Sequence, residues 1–294
     1  MAERPAVAVA ISTRDRPDAL ERCLRSLATG RAQPAEVLVA DQSAGPETEE
    51  VARAAGARHL RARPGGLAAA QNDAVRATSA EVVAVLDDDC VADPGWIETI
   101  VAAFTDPGLG FLSGPVLPLG DDAPGTHPVA TRTSLKRRVL DADTLPWDAG
   151  SGNNFAFRRA WFDRVGGGDE RLGPGAPGKG GLDMDLFRRL LRAGAPGLYE
   201  PAAVVLHERT TTAGRLARRI PYGYGMGACC VLWLRQGDRQ GLSVLGRWVA
   251  MRSGRLARSV ARGRWLAVRE EALVLAGTAG GVVFGLRARE VPRG

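Results

Sequence analysis

The sequence predicts an α/β protein with a mostly parallel sheet flanked by helices, followed by a basic helical extension at the C-terminus. In the first third of the chain, short apolar runs rich in β-branched residues alternate with longer segments of helical periodicity. Their connections are short, as right-handed β-α-β crossovers allow. Beyond residue 207, arginine recurs at helical intervals among Leu, Val and Trp. We therefore divide the chain into an α/β domain, residues 1–207, and an Arg-rich helical extension, residues 208–294.

The individual elements follow from hydrophobic spacing and from turn residues. The first helix has its apolar positions at Leu20, Cys23, Leu24 and Leu27, and it ends at Gly30. Residues 126–150 show no clean period, so we expect a mobile loop that closes over a ligand. The predicted strands are residues 7–11, 37–40, 82–86, 111–113, part of 150–157 and 201–207, and the other predicted helices are residues 47–55, 67–78, 96–104 and 182–192.

Charge and cysteine usage indicate a compartment. The formal net charge is +6, but residues 206–294 carry sixteen Arg against five acidic residues, so the basic character belongs to the extension. The four cysteines show no Cys-x-x-Cys spacing, and the N-terminus lacks the pattern of a signal peptide. The longest charge-free apolar stretch, residues 272–286, is shorter than the roughly 20 residues that span a bilayer. We therefore expect a cytoplasmic protein.

The basic extension predicts two or three amphipathic helices with a charged face. Trp233, Trp248 and Trp265 among the arginines suit a lipid interface, so we expect peripheral contact with an anionic membrane at its inner face. A plain solvated helix face is the alternative. Nucleic acid is not an expected partner, because the chain contains no recognisable helix-turn-helix, zinc-finger or RNA-recognition signature.

Three consecutive carboxylates, Asp87, Asp88 and Asp89, directly follow the apolar run of residues 82–86. The carboxyl ends of strands in open α/β sheets are where ligands bind. Carboxylates this close raise one another's pKa, so a divalent cation such as Mn²⁺ or Mg²⁺ is the favoured occupant. The alternative is a solvated acidic turn that caps the next helix.

The order of these features resembles a family 2 glycosyltransferase over about residues 5–207. The resemblance is strongest at residues 86–89 with 93–96, and at residues 151–159, which begin Ser-Gly-Asn-Asn. It implies a GT-A fold, a nucleotide-diphosphate sugar donor, a hydroxyl acceptor that is a small molecule or lipid-linked, a divalent metal at the diphosphate, and inversion at the anomeric carbon. The Gln-x-x-Arg-Trp motif of processive synthases is absent, so transfer of a single sugar is expected.

The resemblance also implies roles for individual residues. Asp89, Asp87 and His207 would hold the metal, although a lone histidine is more often structural. Inversion needs a general base across the sugar from the metal, and Asp183 is the candidate. The family commonly has Glu where this chain has Leu182. The residues expected to bind the donor are Thr13, Arg14, Asp41, Gly66, Asn72, Asp87 and Asp88.

Each role has a structural alternative. Asp41 is also typical of a turn, and the pair Gly65-Gly66 of a loop. Asp183 and Asp185 suit the first turn of a helix, where the macrodipole favours carboxylates. Two other functions stay open: a non-catalytic binding protein for nucleotide sugars or membranes, and a sugar-phosphate nucleotidyltransferase. The second is disfavoured because residues 12–17 contain no glycine for a phosphate loop.

Overall fold

The computed structural model describes residues 4–289, and its N-terminal half alternates strands and helices as predicted. Each strand here is an apolar run, and each helix buries a stripe of residues at helical spacing. The elements are β1 (Val7–Thr13), α1 (Pro17–Ala28), β2 (Glu36–Asp41), α2 (Glu47–Ala54), β3 (Arg58–Arg61), α3 (Leu67–Ala77), β4 (Val82–Asp87), β5 (Cys90–Ala92) and α4 (Trp96–Ala103).

The middle of the chain is built from shorter elements, several of which periodicity did not predict. The elements are β6 (Phe111–Ser113), β7 (Val116–Pro118), β8 (Thr126–His127), β9 (Arg138–Leu140), α5 (Pro146–Ala149), β10 (Asn154–Arg158), α6 (Arg159–Arg164), α7 (Leu182–Arg192), β11 (Gly197–Tyr199), β12 (Val205–His207) and β13 (Thr210–Thr211). Residues 126–150, predicted as a loop, thus contain two short strands and one helical turn. Strands of two or three residues are defined by their pairing with neighbouring strands, and they are too short for an alternation of apolar and polar residues to be seen in their sequence.

An eight-stranded sheet forms the centre of the fold, in the order β3-β2-β1-β4-β10-β6-β11-β9. The pairs β1–β2, β1–β4 and β2–β3 are parallel, whereas β10 is antiparallel to both β4 and β6. The predicted α/β fold with a mixed, mostly parallel sheet is therefore confirmed. A second sheet of three strands, β5-β12-β7, extends from the end of β4, and β13 pairs with β8.

The register of the parallel strands gathers polar side chains at one edge of the sheet. Thr13 stands beside Asp41 on the neighbouring strand, and Ser12 stands beside Asp87 on the other side. The central strand β1 is almost fully buried up to this point. Polar groups therefore begin where the apolar strands end, which is the edge at which such sheets bind ligands.

The C-terminal extension is helical, as predicted, and comprises α8 (Thr212–Ala217), α9 (Arg219–Arg235), α10 (Gln240–Ala261) and α11 (Trp265–Arg287). Glycines allow the backbones of α9 and α11 to pack closely, since a Cβ on Gly281 would lie 1.9 Å from the carbonyl oxygen of Tyr224. Among the helices of residues 4–289, none combines the length and apolar character needed to cross a membrane.

Three apolar clusters hold the layers together. Two of them cover the opposite faces of the central sheet, one around Trp96 and the other around Phe155 and Phe187. The third joins the α/β part to the extension, because Leu182 on α7 packs in the same cluster as Trp233 and other residues of α9. The extension therefore shares a core with α7 and holds a fixed position beside the carboxyl edge of the sheet.

Candidate active site

The three aspartates after β4 point to different partners. Asp88 is buried and accepts a hydrogen bond of 2.8 Å from the Thr13 hydroxyl. The Arg16 guanidinium lies 3.2 Å from an Asp88 oxygen and 2.9 Å from an Asp89 oxygen. Asp87 faces a large cavity instead. Asp88 thus fixes the turn to β1, Asp87 lines the cavity, and Asp89 pairs with Arg16.

Asp87 is held in an environment that disfavours its charge. Burial raises its pKa well above the ordinary value, and the neighbouring charges of Asp89 and Asp88 raise it further. Arg16 offsets part of this effect, and Asp183 adds to it from the other side of the cavity. A cation beside Asp87 would relieve this repulsion.

His207 is brought to Asp89 by the pairing of β12 with β5, in which His207 stands beside Cys90. Its Nδ1 lies 2.7 Å from the Glu208 carbonyl oxygen, so Nδ1 carries the proton and donates it there. Its Nε2 then presents a lone pair 3.4 Å from an Asp89 oxygen. Burial lowers the pKa of His207 and so favours this neutral form.

Two acceptor atoms that face each other at this distance repel, and a cation between them would relieve the repulsion. Ligand atoms of Asp89, Cys90 and His207 lie within 4.8 Å of one another. Burial raises the pKa of the Cys90 thiol, so Cys90 stays protonated and is a poor ligand. The carboxylate oxygens and the neutral imidazole fit Mn²⁺, and the oxygens also fit Mg²⁺. Of the three metal ligands expected from the sequence, Asp89 and His207 are thus brought together, whereas Asp87 is not part of this group.

Asp183 lies in the first turn of α7, after Gly181, whose φ of +80° suits a residue without a side chain. It accepts a hydrogen bond of 3.1 Å from the backbone N–H of Gly152. A Cβ on Gly152 would lie 2.9 Å from the Asp183 Cβ, so glycine is required there. The Ser-Gly-Asn-Asn motif therefore positions the predicted base at the cavity that Asp87 also lines.

The residues around Asp183 serve structure. Asp185 is buried, pairs with the Arg189 guanidinium, and accepts a hydrogen bond of 2.9 Å from the Trp233 indole. Leu182 is only 6% exposed and packs in the apolar cluster that joins α7 to the extension. A carboxylate at position 182 would lose this packing. The contact with the extension therefore explains why this chain has Leu182 where the family commonly has Glu.

The predicted nucleoside residues lie at the ends of β1 and β2. Asp41 is fully buried and accepts hydrogen bonds from the Ser43 N–H at 2.7 Å and from His59 at 3.0 Å. Burial raises its pKa, but the bonds from Ser43 and His59 outweigh this and hold the pKa of Asp41 below its ordinary value. Arg14 is exposed, and its guanidinium lies 3.6 Å from Asp15. The carboxylate of Asp41 thus orders the edge of the sheet.

Gly66 and Asn72 both contact the glycine-rich loop of residues 166–181. A Cβ on Gly66 would lie 2.6 Å from the Pro174 carbonyl oxygen, and Gly66 has a φ of +86°. Asn72 is buried and exchanges two hydrogen bonds with the backbone of Gly168, at 2.8 and 2.9 Å. Its amide also donates to Glu170 at 2.9 Å. These contacts fix the loop that leads into α7.

Two motifs of the sequence meet in a buried hydrogen-bond network. Asn154 accepts from the Trp96 indole N–H at 2.9 Å and donates to the carbonyls of Pro115 and Ala203 at 2.8 Å each. Its neighbour Asn153 lines the cavity, and the buried Oδ1 of Asn153 has no hydrogen-bond partner among residues 4–289. Asn154 therefore anchors the site, and Asn153 offers it an acceptor.

A cavity of about 800 Å³ lies between part of the site and the C-terminal extension, and it is not lined by Thr13, Arg14, Asp41, Gly66, Asn72, Asp88 or Asp89. Asp87, Asp183 and His207 line its α/β side. The sequence predicted a membrane-facing or solvated extension, and it did not predict that the extension forms a wall of this cavity. The only signal of that wall in the sequence is the helical spacing of the arginines. That wall carries five guanidinium groups from α8, α9 and α10 and their junctions: Arg215, Arg218, Arg219, Arg252 and Arg255.

Comparisons with known proteins agree with this geometry. The model of glycosyl transferase family 2 matches residues 8–166. The chain is 31% identical over 202 residues to the pre-mycofactocin glycosyltransferase of Mycobacterium tuberculosis, which covers 64% of this chain and 40% of that protein. It is 30% identical over 234 residues to the N-acetylglucosaminyl-diphospho-decaprenol L-rhamnosyltransferase of the same organism, covering 67% and 74%. The chain therefore spans less than half the length of the first of these relatives.

Solved structures share the fold at low sequence identity. The mannosyltransferase PcManGT from Pyrobaculum calidifontis, solved with GDP-Man and Mn²⁺, has a TM-score of 0.62 at 17% identity and covers 97% of this chain and 88% of that one. S. aureus TarS has a TM-score of 0.56 at 16% identity, covering 77% and 39%. GalNAc-T7 with UDP, GalNAc and Mn²⁺ has a TM-score of 0.56 at 17% identity, covering 71% and 44%.

Proposed function

Because the chain belongs to glycosyltransferase family 2, as its motifs predicted, we propose that it is an inverting, metal-dependent enzyme that transfers one sugar from a nucleotide diphosphate to a hydroxyl acceptor. The observation that carries this proposal is the placement of Asp87 and Asp183 on one cavity, with the Asp89–His207 pair at the end of β4. An inverting transfer needs a base on the face of the sugar opposite the leaving group, and a metal ion held by the aspartates would stabilise the departing diphosphate.

Asp183 is proposed to remove the proton from the acceptor hydroxyl. Its carboxylate lines the cavity, and the Gly152 N–H holds one oxygen while the other stays available. The N-terminal turn of α7 favours the negative charge that a base must carry. After transfer, the proton would reside on Asp183 and exchange with solvent as the glycosylated product leaves.

Asp89, Asp87 and His207 are proposed to hold Mn²⁺ or Mg²⁺. A divalent ion bound there would neutralise the charge that develops on the departing diphosphate, acting as a Lewis acid. The neutral His207, whose Nδ1 proton is fixed by the Glu208 carbonyl, supports this role, because such a backbone partner orients a metal-ligating imidazole.

The donor nucleotide is proposed to bind at the carboxyl edge of β1, β2 and β4. Thr13, Arg14 and Asp41 would surround the nucleoside, and Asp87 the ribose, with Asp88 holding the turn between them. Gly66 and Asn72 would act on the donor through the loop of residues 166–181, which they fix. The strand register, which sets Thr13 beside Asp41, supports this assignment.

The acceptor is proposed to be reached at a membrane surface on the cytoplasmic side. The turn between α10 and α11 exposes Val260, Leu266 and Trp265, the last with 71% of its surface accessible. Arg258 and Arg262 lie in the same segment. Exposed apolar and aromatic side chains beside arginines suit the interface of an anionic bilayer. Co-sedimentation with anionic liposomes, lost at high salt and in Trp265→Ala, is the expected result.

The proposed activity is tested by two variants compared with the exposed control Asp121→Asn. Nucleoside diphosphates with Mn²⁺ should raise the melting temperature of the wild type, because a ligand that binds only the native state stabilises it. Asp89→Ala should lose this shift. Asp183→Asn should keep the shift but lower sugar transfer by about 10²- to 10⁴-fold.

Opposite outcomes separate the alternatives. Tight nucleotide binding with no release of nucleoside diphosphate from any UDP-, GDP- or dTDP-sugar would favour the non-catalytic binding protein. Unchanged turnover in Asp89→Ala would refute the metal site. Release of pyrophosphate from a nucleoside triphosphate and a sugar phosphate would identify a nucleotidyltransferase instead.

A further inference from the structure

The C-terminal extension contributes a positively charged surface to the catalytic cavity, which we call the arginine wall. It shares this cavity with Asp87 and Asp183, so guanidinium groups and carboxylates line the same space. The arginine wall consists of Arg215, Arg218, Arg219, Arg252 and Arg255.

The charge of the arginine wall is only partly compensated within the protein. Glu270 pairs with Arg215 at 3.0 Å and lies 3.9 Å from Arg219. Glu271 pairs with Arg252 at 3.2 Å. Two carboxylates therefore face five guanidinium groups. Among residues 4–289, neither of the two remaining arginines of the wall has a carboxylate partner.

Buried donor atoms in the arginine wall lack acceptors. The Nε atoms of Arg219 and Arg252 are buried and have no hydrogen-bond partner among residues 4–289. Arg252 is 5% exposed, so water does not readily supply the missing acceptor. Burial lowers the pKa of Arg219, and repulsion from Arg215 and Arg252 contributes to this shift. An anion entering the cavity would pair with Arg218 and Arg255, which are exposed, and relieve the repulsion among the guanidinium groups.

Aromatic side chains stand directly beside the arginine wall. The Trp147 and Trp248 rings are 5.5 Å apart between centroids, and the Tyr222 and Trp248 rings are 5.4 Å apart. The Arg252 guanidinium stacks 4.1 Å from the centre of Trp248. Trp147 and Tyr222 are half-buried at the cavity, whereas Trp248 is fully buried. The cavity therefore offers an apolar surface next to its cationic one, which suits an amphiphilic ligand.

We propose that the arginine wall binds a phosphate or diphosphate group carried by the acceptor, with the aromatic rings against the adjoining apolar part. This inference rests on the proposed function, since it assigns the acceptor side of the same cavity. A divalent ion held by Asp89 and His207 would give the diphosphate of the donor its own cationic site. The arginine wall, which the C-terminal extension contributes, supplies fixed positive charge for the second substrate.

The test measures binding of geranyl diphosphate, inorganic pyrophosphate and geraniol to the full-length protein in EDTA, by isothermal titration calorimetry. EDTA removes any route through a divalent metal. The cavity variant is Arg218→Ala with Arg255→Ala. The matched control is Arg239→Ala with Arg269→Ala, two exposed arginines of the extension that do not line the cavity.

The wild type should bind geranyl diphosphate more tightly than geraniol, and the affinity should fall as salt rises. The cavity variant should weaken binding of geranyl diphosphate at least about tenfold, and the control less than about twofold. Tighter binding of geranyl diphosphate than of pyrophosphate would assign the site to a lipid-linked acceptor. Equal affinity of the two would assign it to a soluble phosphorylated acceptor.

Three results would overturn the proposal: equal weakening in the control variant, binding only when Mn²⁺ is added, or equal affinity for geraniol and geranyl diphosphate. The nucleotide-dependent rise in melting temperature with Mn²⁺ is measured on the same variants. If nucleotide with Mn²⁺ does not raise the melting temperature of the wild type, only the proposed donor site is refuted. The binding of geranyl diphosphate in EDTA does not depend on the donor site.

Discussion

Asn154→Ala should strongly destabilise the protein, because this side chain joins the end of β10 to α4 and to the second sheet. Asn154 is fully buried. Its Oδ1 accepts from the Trp96 indole, and its amide donates to the carbonyls of Pro115 and Ala203. The variant removes all three hydrogen bonds at once.

The expected magnitude follows from which partners stay unpaired. The Pro115 carbonyl keeps a second donor, the Val205 N–H at 3.1 Å. The indole N–H of Trp96 and the carbonyl of Ala203 each lose their hydrogen bond to the Asn154 side chain. A buried polar group without a partner costs about 1–3 kcal/mol, so Asn154→Ala should lower the free energy of unfolding by about 3–5 kcal/mol. Trp96→Phe removes one of these bonds, leaves the Asn154 Oδ1 unpaired and removes part of a fully buried ring system, so it should cost about 2–4 kcal/mol.

Urea unfolding followed by far-UV circular dichroism measures both values by linear extrapolation. Asn153→Ala is the matched control, because the Oδ1 of Asn153 has no hydrogen-bond partner among residues 4–289 and faces the cavity. It should change stability by less than about 1 kcal/mol. A loss below about 1 kcal/mol in Asn154→Ala, with an unchanged denaturant slope, would show that the network does not hold the site together.

Three further outcomes are expected. His207→Ala should weaken Mn²⁺ binding at least about tenfold in a titration of tryptophan fluorescence, whereas His127→Ala should not; equal effects would remove His207 from the metal site. Asp41→Asn should lower stability at neutral pH. Because the folded pKa of Asp41 is depressed, its contribution is present above the unfolded pKa of about 3.9 and is lost as pH falls through the folded value. The stability gap between wild type and Asp41→Asn should therefore narrow in acid, and a constant gap would contradict the assignment. Gly66→Ala should cost about 2–4 kcal/mol in urea unfolding, since it adds a clash with the Pro174 carbonyl to an unfavourable φ, whereas Gly56→Ala, with open space around it, should cost about 1–2 kcal/mol.

Much of the donor side of the site was predictable because its residues are local in the sequence. Apolar runs end at Thr13, Asp41 and Asp87, and parallel pairing necessarily brings strand ends to one edge. The helix that begins at Leu182 and carries Asp183 was also predicted at its observed bounds. Hydrophobic spacing and strand polarity are enough for these inferences, since each depends on fewer than about a dozen neighbouring residues.

Other features depend on contacts between distant segments. A strand at residues 201–207 was predicted and contains β12, but the short strands β5 and β7 form only by pairing with β12, so their own sequences carry no pattern that predicts them. The position of the arginine wall could not be predicted for the same reason. The helical spacing of its arginines is visible in the sequence, but the packing of α9 against α7 decides that these arginines face the cavity.

The sequence by itself determined the α/β fold, the family and the acidic edge of the sheet, because these arise from local spacing and from motifs that lie close together along the chain. Only the tertiary structure decided that His207 meets Asp89, that Asn154 bonds with Trp96, and that the basic extension lines the cavity. The physical reason is that charge and hydrogen-bond partners more than fifty residues apart are chosen by the packing of buried apolar faces. That packing is a property of the whole core.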